Sequence, residues 1–354
     1  MNRSRAVFVS LLVFLSIAGL SLASLRLGAS ASDSGQSSRT FEFNYQVHFP
    51  ATPGANAPVH LWVPYPTAAD VHQTPAASVS ITEDVPHSMG HDAEYNNAFV
   101  VFTPTPAQVA SGFDAGLRFT VTRKEYVALH NGAAVQQASF ANAKPSPALL
   151  QRYLHPDKLV PLDGAIAELA RQQTAGANTP IEKARKIYDY VVSTMHYDKS
   201  GEGWGRGDAV WACDSKRGNC TDFHSVFIGM MRHSGIPARF EIGFPLPEGK
   251  TEGEIPGYHC WSEFYIEEIG WIPVDASEAS KNPAKKDYFF GALDTNRVLF
   301  TYGRDIRLSS DQKAEPLNYF IYPYAEANGQ PVKDLKRTFS FREVPASQQA
   351  AAGR

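Results

Sequence analysis

A chain of 354 residues, 43% hydrophobic and 19% charged, is long enough for two domains with a sizeable core and too apolar to be disordered. Its formal net charge is −3, and no basic patch interleaved with aromatics occurs, which excludes nucleic acid as an expected partner. No Cys-x-x-Cys pair and no calcium-ligand loop stands out, so neither a metal nor another cofactor is expected.

The N-terminus reads as a targeting segment. Arg3 and Arg5 precede an apolar run from Ala6 to about Leu25, and Ala29-Ser30-Ala31 offers a small-residue cleavage site. Residues 1–31 are thus either a cleaved signal or an uncleaved anchor, the run being close to the minimum for a span. In both cases the folded part is exported, periplasmic or secreted, and any membrane attachment is through this segment alone. Cleavage would remove three arginines and no acid, moving the formal charge to −6.

Residues 32–39 are Ser-rich and read as a flexible tether. Over 40–127 the pattern is that of strands. Phe41 to Val47 and Leu117 to Val121 alternate, and Val59–Val63 and Asn97–Phe102 look alike, with Pro and Gly between them. A small β-sandwich domain is expected there. His87 and His91, four apart in a strand-and-turn region, do not converge on a metal. A connection follows over 128–160, with one short helix near Leu149.

Helices are expected at about 163–174 and 180–196, the second capped by Thr179 with Pro180 at its first position. An irregular stretch containing Trp204, Gly205, Gly207 and Trp211 is read as framing the entrance to a cleft, and Tyr197 beside it either packs in the core or serves as an oxyanion donor or cleft-lining residue. Asn219 is a good N-cap, and Asp222 can reach back to it as in a capping box, so Cys220 opens a helix. Its apolar residues are Phe223, Val226, Phe227, Met230 and Met231, and Gly235 and Pro237 end it. A thiol at a helix start feels the positive end of the dipole and ionises readily, although a lone buried cysteine also serves as a small hydrophobe. His224 reads as a satisfied surface or core histidine.

Residues 258–266 alternate as a strand, with His259, Trp261, Glu263 and Tyr265 on one face and Cys260, Ser262, Phe264 and Ile266 on the other. Cys260 therefore points away from His259 and is a poor nucleophile. Trp271 to Asp275 forms the second arm of a hairpin. A turn symmetric about Ile269 would set Asp275 opposite Glu263, too far from His259. The turn must therefore sit nearer Glu267 and Glu268, or a bulge must shift the register. With three cysteines, an exported protein keeps one thiol unpaired; Cys213 and Cys260 either pair or remain buried thiols. Residues 305–354 read as a β-rich extension, with strands at Asn318–Tyr324 and Thr338–Phe341 and a frayed tail.

Cysteine, histidine and aspartate in this order are what a thiolate nucleophile, a proton-transfer partner and an orienting carboxylate require. Arg217-Gly218-Asn219-Cys220-Thr221-Asp222-Phe223, Gly235-Ile236-Pro237-Ala238-Arg239, His259-Cys260-Trp261-Ser262-Glu263-Phe264-Tyr265 and Gly270-Trp271-Ile272-Pro273-Val274-Asp275 together resemble the transglutaminase-like superfamily, related to papain-type cysteine proteases. The resemblance implies an α+β fold, with a catalytic core over 161–304 whose nucleophile helix packs on an antiparallel sheet. It also implies that Cys220 is the nucleophile, His259 the base and later acid, and Asp275 the orienter, while Arg239 is a structural partner. Trp261 reads as cleft wall or core, and as cleft wall it joins Tyr197, Trp204 and Trp211 as a candidate for lining the site. The implied activity is acyl transfer on amide or peptide bonds of a protein or peptide substrate, by hydrolysis or by transamidation. A catalytically silent binding or scaffold module in the cell envelope is the alternative. The survival of all three polar residues favours catalysis.

Overall fold

The alternation Phe41, Phe43, Tyr45, Val47, Phe49 becomes one long strand whose apolar face is fully buried. The computed structural model describes residues 37–55, 58–66, 72–130, 132–135 and 145–345. The targeting segment, most of the tether and the tail from 346 onward lie outside these. The first strand begins at Ser38, two residues inside the expected tether.

From the N-terminus run β1 (Ser38–Phe49), β2 (His60–Pro64), β3 (Gln73–Ile81), β4 (His87–His91), β5 (Ala98–Phe102) and β6 (Phe113–Lys124). A short helix, Pro147–Arg152, contains Leu149. Helices α1 (Gly164–Thr174), α2 (Pro180–Thr194), α3 (Ala209–Ser215) and α4 (Cys220–His233) follow. The remainder comprises β7 (Ala238–Pro245), β8 (Glu252–Glu254), β9 (His259–Ile266), β10 (Gly270–Val274), α5 (Ala276–Lys281), β11 (Arg297–Tyr302), β12 (Tyr324–Ala327) and β13 (Lys336–Glu343).

Three sheets carry the fold. One has the order β8-β13-β1-β6-β3, and another places Gln330–Pro331 and β12 beside β2-β5-β4. The strands of 38–124 therefore do not complete their sheets alone: β13 pairs antiparallel with β1, and β12 with β2. The central sheet is antiparallel, in the order β10-β9-β7-β11, and α4 packs across β7 and β9. Phe43 and Tyr45 of β1 meet Phe244 and Phe300 of this sheet at ring separations of 5.3 to 6.2 Å, so one continuous hydrophobic core joins all layers. This is a mixed α+β architecture.

Two expectations change. Asn318 to Pro323 is irregular, and the strand starts only at Tyr324, because Pro323 has no N–H to give a ladder. Trp211 lies not in the irregular stretch but in α3, where Asp208 caps the helix by accepting the Trp211 N–H at 3.1 Å. Among the described residues no helix is long and apolar enough to cross a membrane.

Candidate active site

The start of α4 is built by two polar side chains. Asn219 accepts the Thr221 N–H at 2.9 Å, and Asp222 returns to accept the Asn219 N–H at 2.9 Å, a complete capping box. The same Asp222 carboxylate accepts the N–H groups of Gly205 (2.7 Å) and Gly207 (2.9 Å). One buried acid thus ties the 201–207 loop to the helix start. Gly218, at φ +148°, makes this possible, since a Cβ there would lie 2.3 Å from the Asp222 carboxylate. Cys220 is the first helical residue and only 2% exposed.

The histidine arrives from β9. Ser262 pairs with Val274 and Ile266 with Gly270, so the hairpin turns about Glu268 and Asp275 falls beyond the strand end, opposite Trp261. The turn sits nearer Glu267 and Glu268, which decides between the two possible registers. His259 Nε2 donates to Asp275 Oδ2 at 2.7 Å, which leaves Nδ1 as the ring nitrogen outside that bond, and Cys220 is the ring's other electrostatic partner. Arg297 Nη1 donates to the same Asp275 oxygen at 2.9 Å, while Oδ1 accepts from Ser277 Oγ (3.1 Å) and the Glu278 N–H (3.0 Å). Asp275 is thereby also the N-cap of α5. Every lobe of this buried carboxylate has a donor.

The electrostatics follow from these contacts. Burial pushes the Cys220 thiol up, but hydrogen bonds with Cys260 and His259 and the imidazolium charge outweigh it and hold its pKa well below 9. Burial pushes His259 down, yet the charge and hydrogen bond of Asp275, with Cys220 beyond, raise its pKa to about 10. Asp275 is held far below the ordinary carboxylate range against burial, by His259 and then Arg297. The favoured state is a thiolate–imidazolium–carboxylate array.

His224 is fully buried on the other side of β9. Its Nδ1 donates to the Cys220 carbonyl at 2.8 Å, and its Nε2 accepts the Ala276 N–H at 3.1 Å. Those two bonds suit the neutral ring, and burial lowers its pKa. It is a satisfied core histidine that links the starts of α4 and α5.

The remaining candidates separate. Tyr197 is half-buried near the pair: its ring lies 6.2 Å from Phe223, and Lys281 Nζ stands 4.7 Å over it. Burial, then the Cys220 charge, raise its pKa. Trp204 donates its indole N–H to the Gly201 carbonyl at 3.1 Å, and Trp211 packs against Gly203. Both brace the 201–207 loop. Trp261 is fully buried, with its indole N–H on Glu241 and the Arg297 guanidinium 4.9 Å from its ring, so it belongs to the core and not to a cleft wall. Arg239 is held by Glu263 and Glu241 between the rings of Trp271 and Tyr302, 4.2 and 4.3 Å away. His87 and His91 lie in β4, remote from this cluster.

Three residues gain a place that the sequence pattern did not assign. Arg297 carries no local mark, standing 22 residues beyond Asp275. Tyr258 precedes His259; its hydroxyl accepts from Asn219 Nδ2 at 2.9 Å, which turns its own proton elsewhere, and its ring packs on Tyr319 and Tyr322. Cys260 does face away from His259; its thiol lies 3.8 Å from His224 Nδ1, and burial pushes its pKa well up.

Residues 167–276 match the model of the transglutaminase-like superfamily, a span holding Cys220, His259 and Asp275. The chain carries a transglutaminase-like core. Over 336 residues it is 26% identical to a protein of Haemophilus influenzae, covering 83% of this chain and 88% of that relative. Over 153 residues it is 26% identical to the protein YebA of Bacillus subtilis, covering 38% of this chain and 21% of YebA. A solved structure from Cytophaga hutchinsonii, described as that of a candidate cysteine protease, shares the fold with a TM-score of 0.56 at 14% identity. That match covers 87% of this chain and 98% of the other.

Proposed function

We propose that this transglutaminase-like protein is a cysteine-dependent acyl-transfer enzyme acting on amide or peptide bonds. One observation carries the reading: a cysteine opens a helix, and the histidine whose charge lowers its pKa has Nε2 2.7 Å from a buried carboxylate that Arg297 also holds, at 2.9 Å. The Cys220 thiolate attacks the carbonyl carbon, and the charge moves to the carbonyl oxygen. The Cys220 N–H, one of the first-turn donors without an intrahelical partner, receives that oxyanion. The Tyr258 hydroxyl, with its lone pair already engaged by Asn219, is the second donor we assign. Imidazolium His259 protonates the departing amine and then, as a base, activates water or an acceptor amine. Asp275 fixes the ring, and Arg297 and Ser277 fix Asp275. The basic, apolar N-terminal segment supports an exported protein.

Casein offered together with a fluorescent primary amine tests both outcomes, since new N-termini report hydrolysis and bound fluorophore reports transamidation. Wild type should give at least one of the two and Cys220→Ala neither, with stability changed by less than about 1 kcal/mol because a small thiol leaves little cavity. Undiminished processing by Cys220→Ala would sink the reading.

A further inference from the structure

Beside the nucleophile stand cations that the proposed reaction does not use. Tyr197 pairs in parallel with Gly218, two residues before Cys220, and the Asp198 N–H donates to the Gly218 carbonyl at 3.0 Å. Lys199 therefore follows directly from a segment fixed against the start of α4. Trp204 comes to the same wall through its neighbour Gly205, whose N–H Asp222 accepts at 2.7 Å. Lys199 Nζ then lies 5.6 Å from the centre of the Tyr197 ring and 5.9 Å from that of Trp204. Two further cations share this wall, and each has its own acid. Lys281, 4.7 Å over the Tyr197 ring, donates to the Glu278 carboxylate, and Arg217 stands 3.6 Å from Asp198. Lys199 has no carboxylate partner among the described residues. Ring faces hold its ammonium without neutralising it, and its N–H donors stay available.

We propose that Lys199 determines specificity by binding a substrate carboxylate close to the scissile amide, so that the protein favours acidic peptides. The inference rests on the acyl-transfer reading of Cys220. The carboxylate, on an acidic side chain or a free C-terminus, accepts hydrogen bonds from the ammonium in place of water. Half-buried Tyr197 and Trp204 keep solvent from part of that pair, which strengthens the attraction. Nothing in the site opposes a further anion. Thiolate and imidazolium cancel, Arg297 offsets Asp275 at 2.9 Å, and Glu278 and Asp198 are matched by Lys281 and Arg217. Lys199 is the unbalanced charge of this group. Its contact with the carboxylate exists before and during the reaction, so losing it raises KM more than it lowers kcat.

The test uses the full chain and acetylated synthetic peptides of equal length. Glutamate, glutamine or lysine is moved through them one position at a time, and each is made as C-terminal acid and as amide. Product masses give kcat/KM. Wild type should favour a carboxylate over its amide by about three- to tenfold at one position, the worth of one such ion pair. The responsive position tells a side chain from a C-terminus. Raising salt from about 0.05 to about 0.5 M should shrink the preference. Lys199→Gln should bring the ratio near one through KM, and Lys199→Glu should turn it toward lysine, which a merely structural role would not do. A preference that survives Lys199→Gln would overturn the proposal, as would an equal loss on all peptides. Turnover by wild type with no carboxylate preference sinks this inference alone; no turnover of any peptide sinks the acyl-transfer reading with it.

Discussion

The two faces of β9 bury one histidine each, His259 on one and His224 against the other, and they end in opposite charge states. Burial opposes the imidazolium in both. His259 overcomes it because Asp275 sits 2.7 Å from Nε2 and Arg297 and Ser277 hold that carboxylate in place. His224 stands 3.9 Å from the other oxygen of the same carboxylate, but its two nitrogens are already engaged by a carbonyl and an N–H. A carboxylate in direct contact gives charge, and a carboxylate one bond removed does not. Partner chemistry, and not depth, separates a group that can move protons from one that holds two helices together.

The largest expected effect tests the charged face. Asp275→Asn keeps the shape but removes the anion that sustains the imidazolium. Amide turnover should fall by about 10^3–10^4-fold, the scale seen when a triad aspartate is made an amide. A variant that processes casein at the wild-type rate would erase the distinction between the two faces. Next comes Arg297→Met, which leaves Asp275 short of a buried cation. Chemical denaturation should register a loss of about 3–5 kcal/mol, and a loss below about 1 kcal/mol would mean that His259 alone satisfies the carboxylate.

His224→Gln tests the neutral face. It should cost about 1–3 kcal/mol through the lost bonds between α4 and α5, while iodoacetamide labelling of Cys220 at pH 6.5 stays within about threefold of wild type. A collapse of labelling would give His224 a share in the ion pair.

The smallest effect is in the pH dependence of stability. Between about pH 6.5 and 8.5 the unfolded chain carries a neutral thiol and a neutral imidazole, and the folded pair carries the same single proton on His259. Stability should be flat there. Below that window the unfolded histidine takes up a proton that the folded thiolate does not, so stability falls with falling pH through the lowered Cys220 pKa. Above it the unfolded thiol ionises while folded His259 keeps its proton, so stability falls toward the His259 pKa of about 10. Each flank should slope by about 1.4 kcal/mol per pH unit in urea titrations. A maximum below pH 6 would break the ion pair.

Local chemistry made part of this legible from residue order. The capping box fixes where α4 starts, and the alternation of β9 fixes which side chains share a face. Tertiary chemistry was hidden. Nothing in Gly257-Tyr258-His259 says that Asn219 will bond the tyrosine hydroxyl, and Arg297 bears no mark of its partner. Alternation correctly turns Cys260 from His259, but only the packing of α4 over β9 brings its sulfur to His224. Trp261 reads equally as cleft wall or core, because a strand pattern gives a face without saying whether that face meets solvent or Glu241.

The pairing of β13 with β1 imposes an order on synthesis. Arg39 meets Glu343 across 304 residues, and Phe43 must wait for Phe341 before its strand is flanked on both sides. A chain emerging N-terminus first therefore exposes a long edge rich in alternating aromatics until nearly all of it has been made. Such an edge invites pairing with a neighbouring chain until β13 closes it. A chain cut before Lys336 would leave that edge open for good.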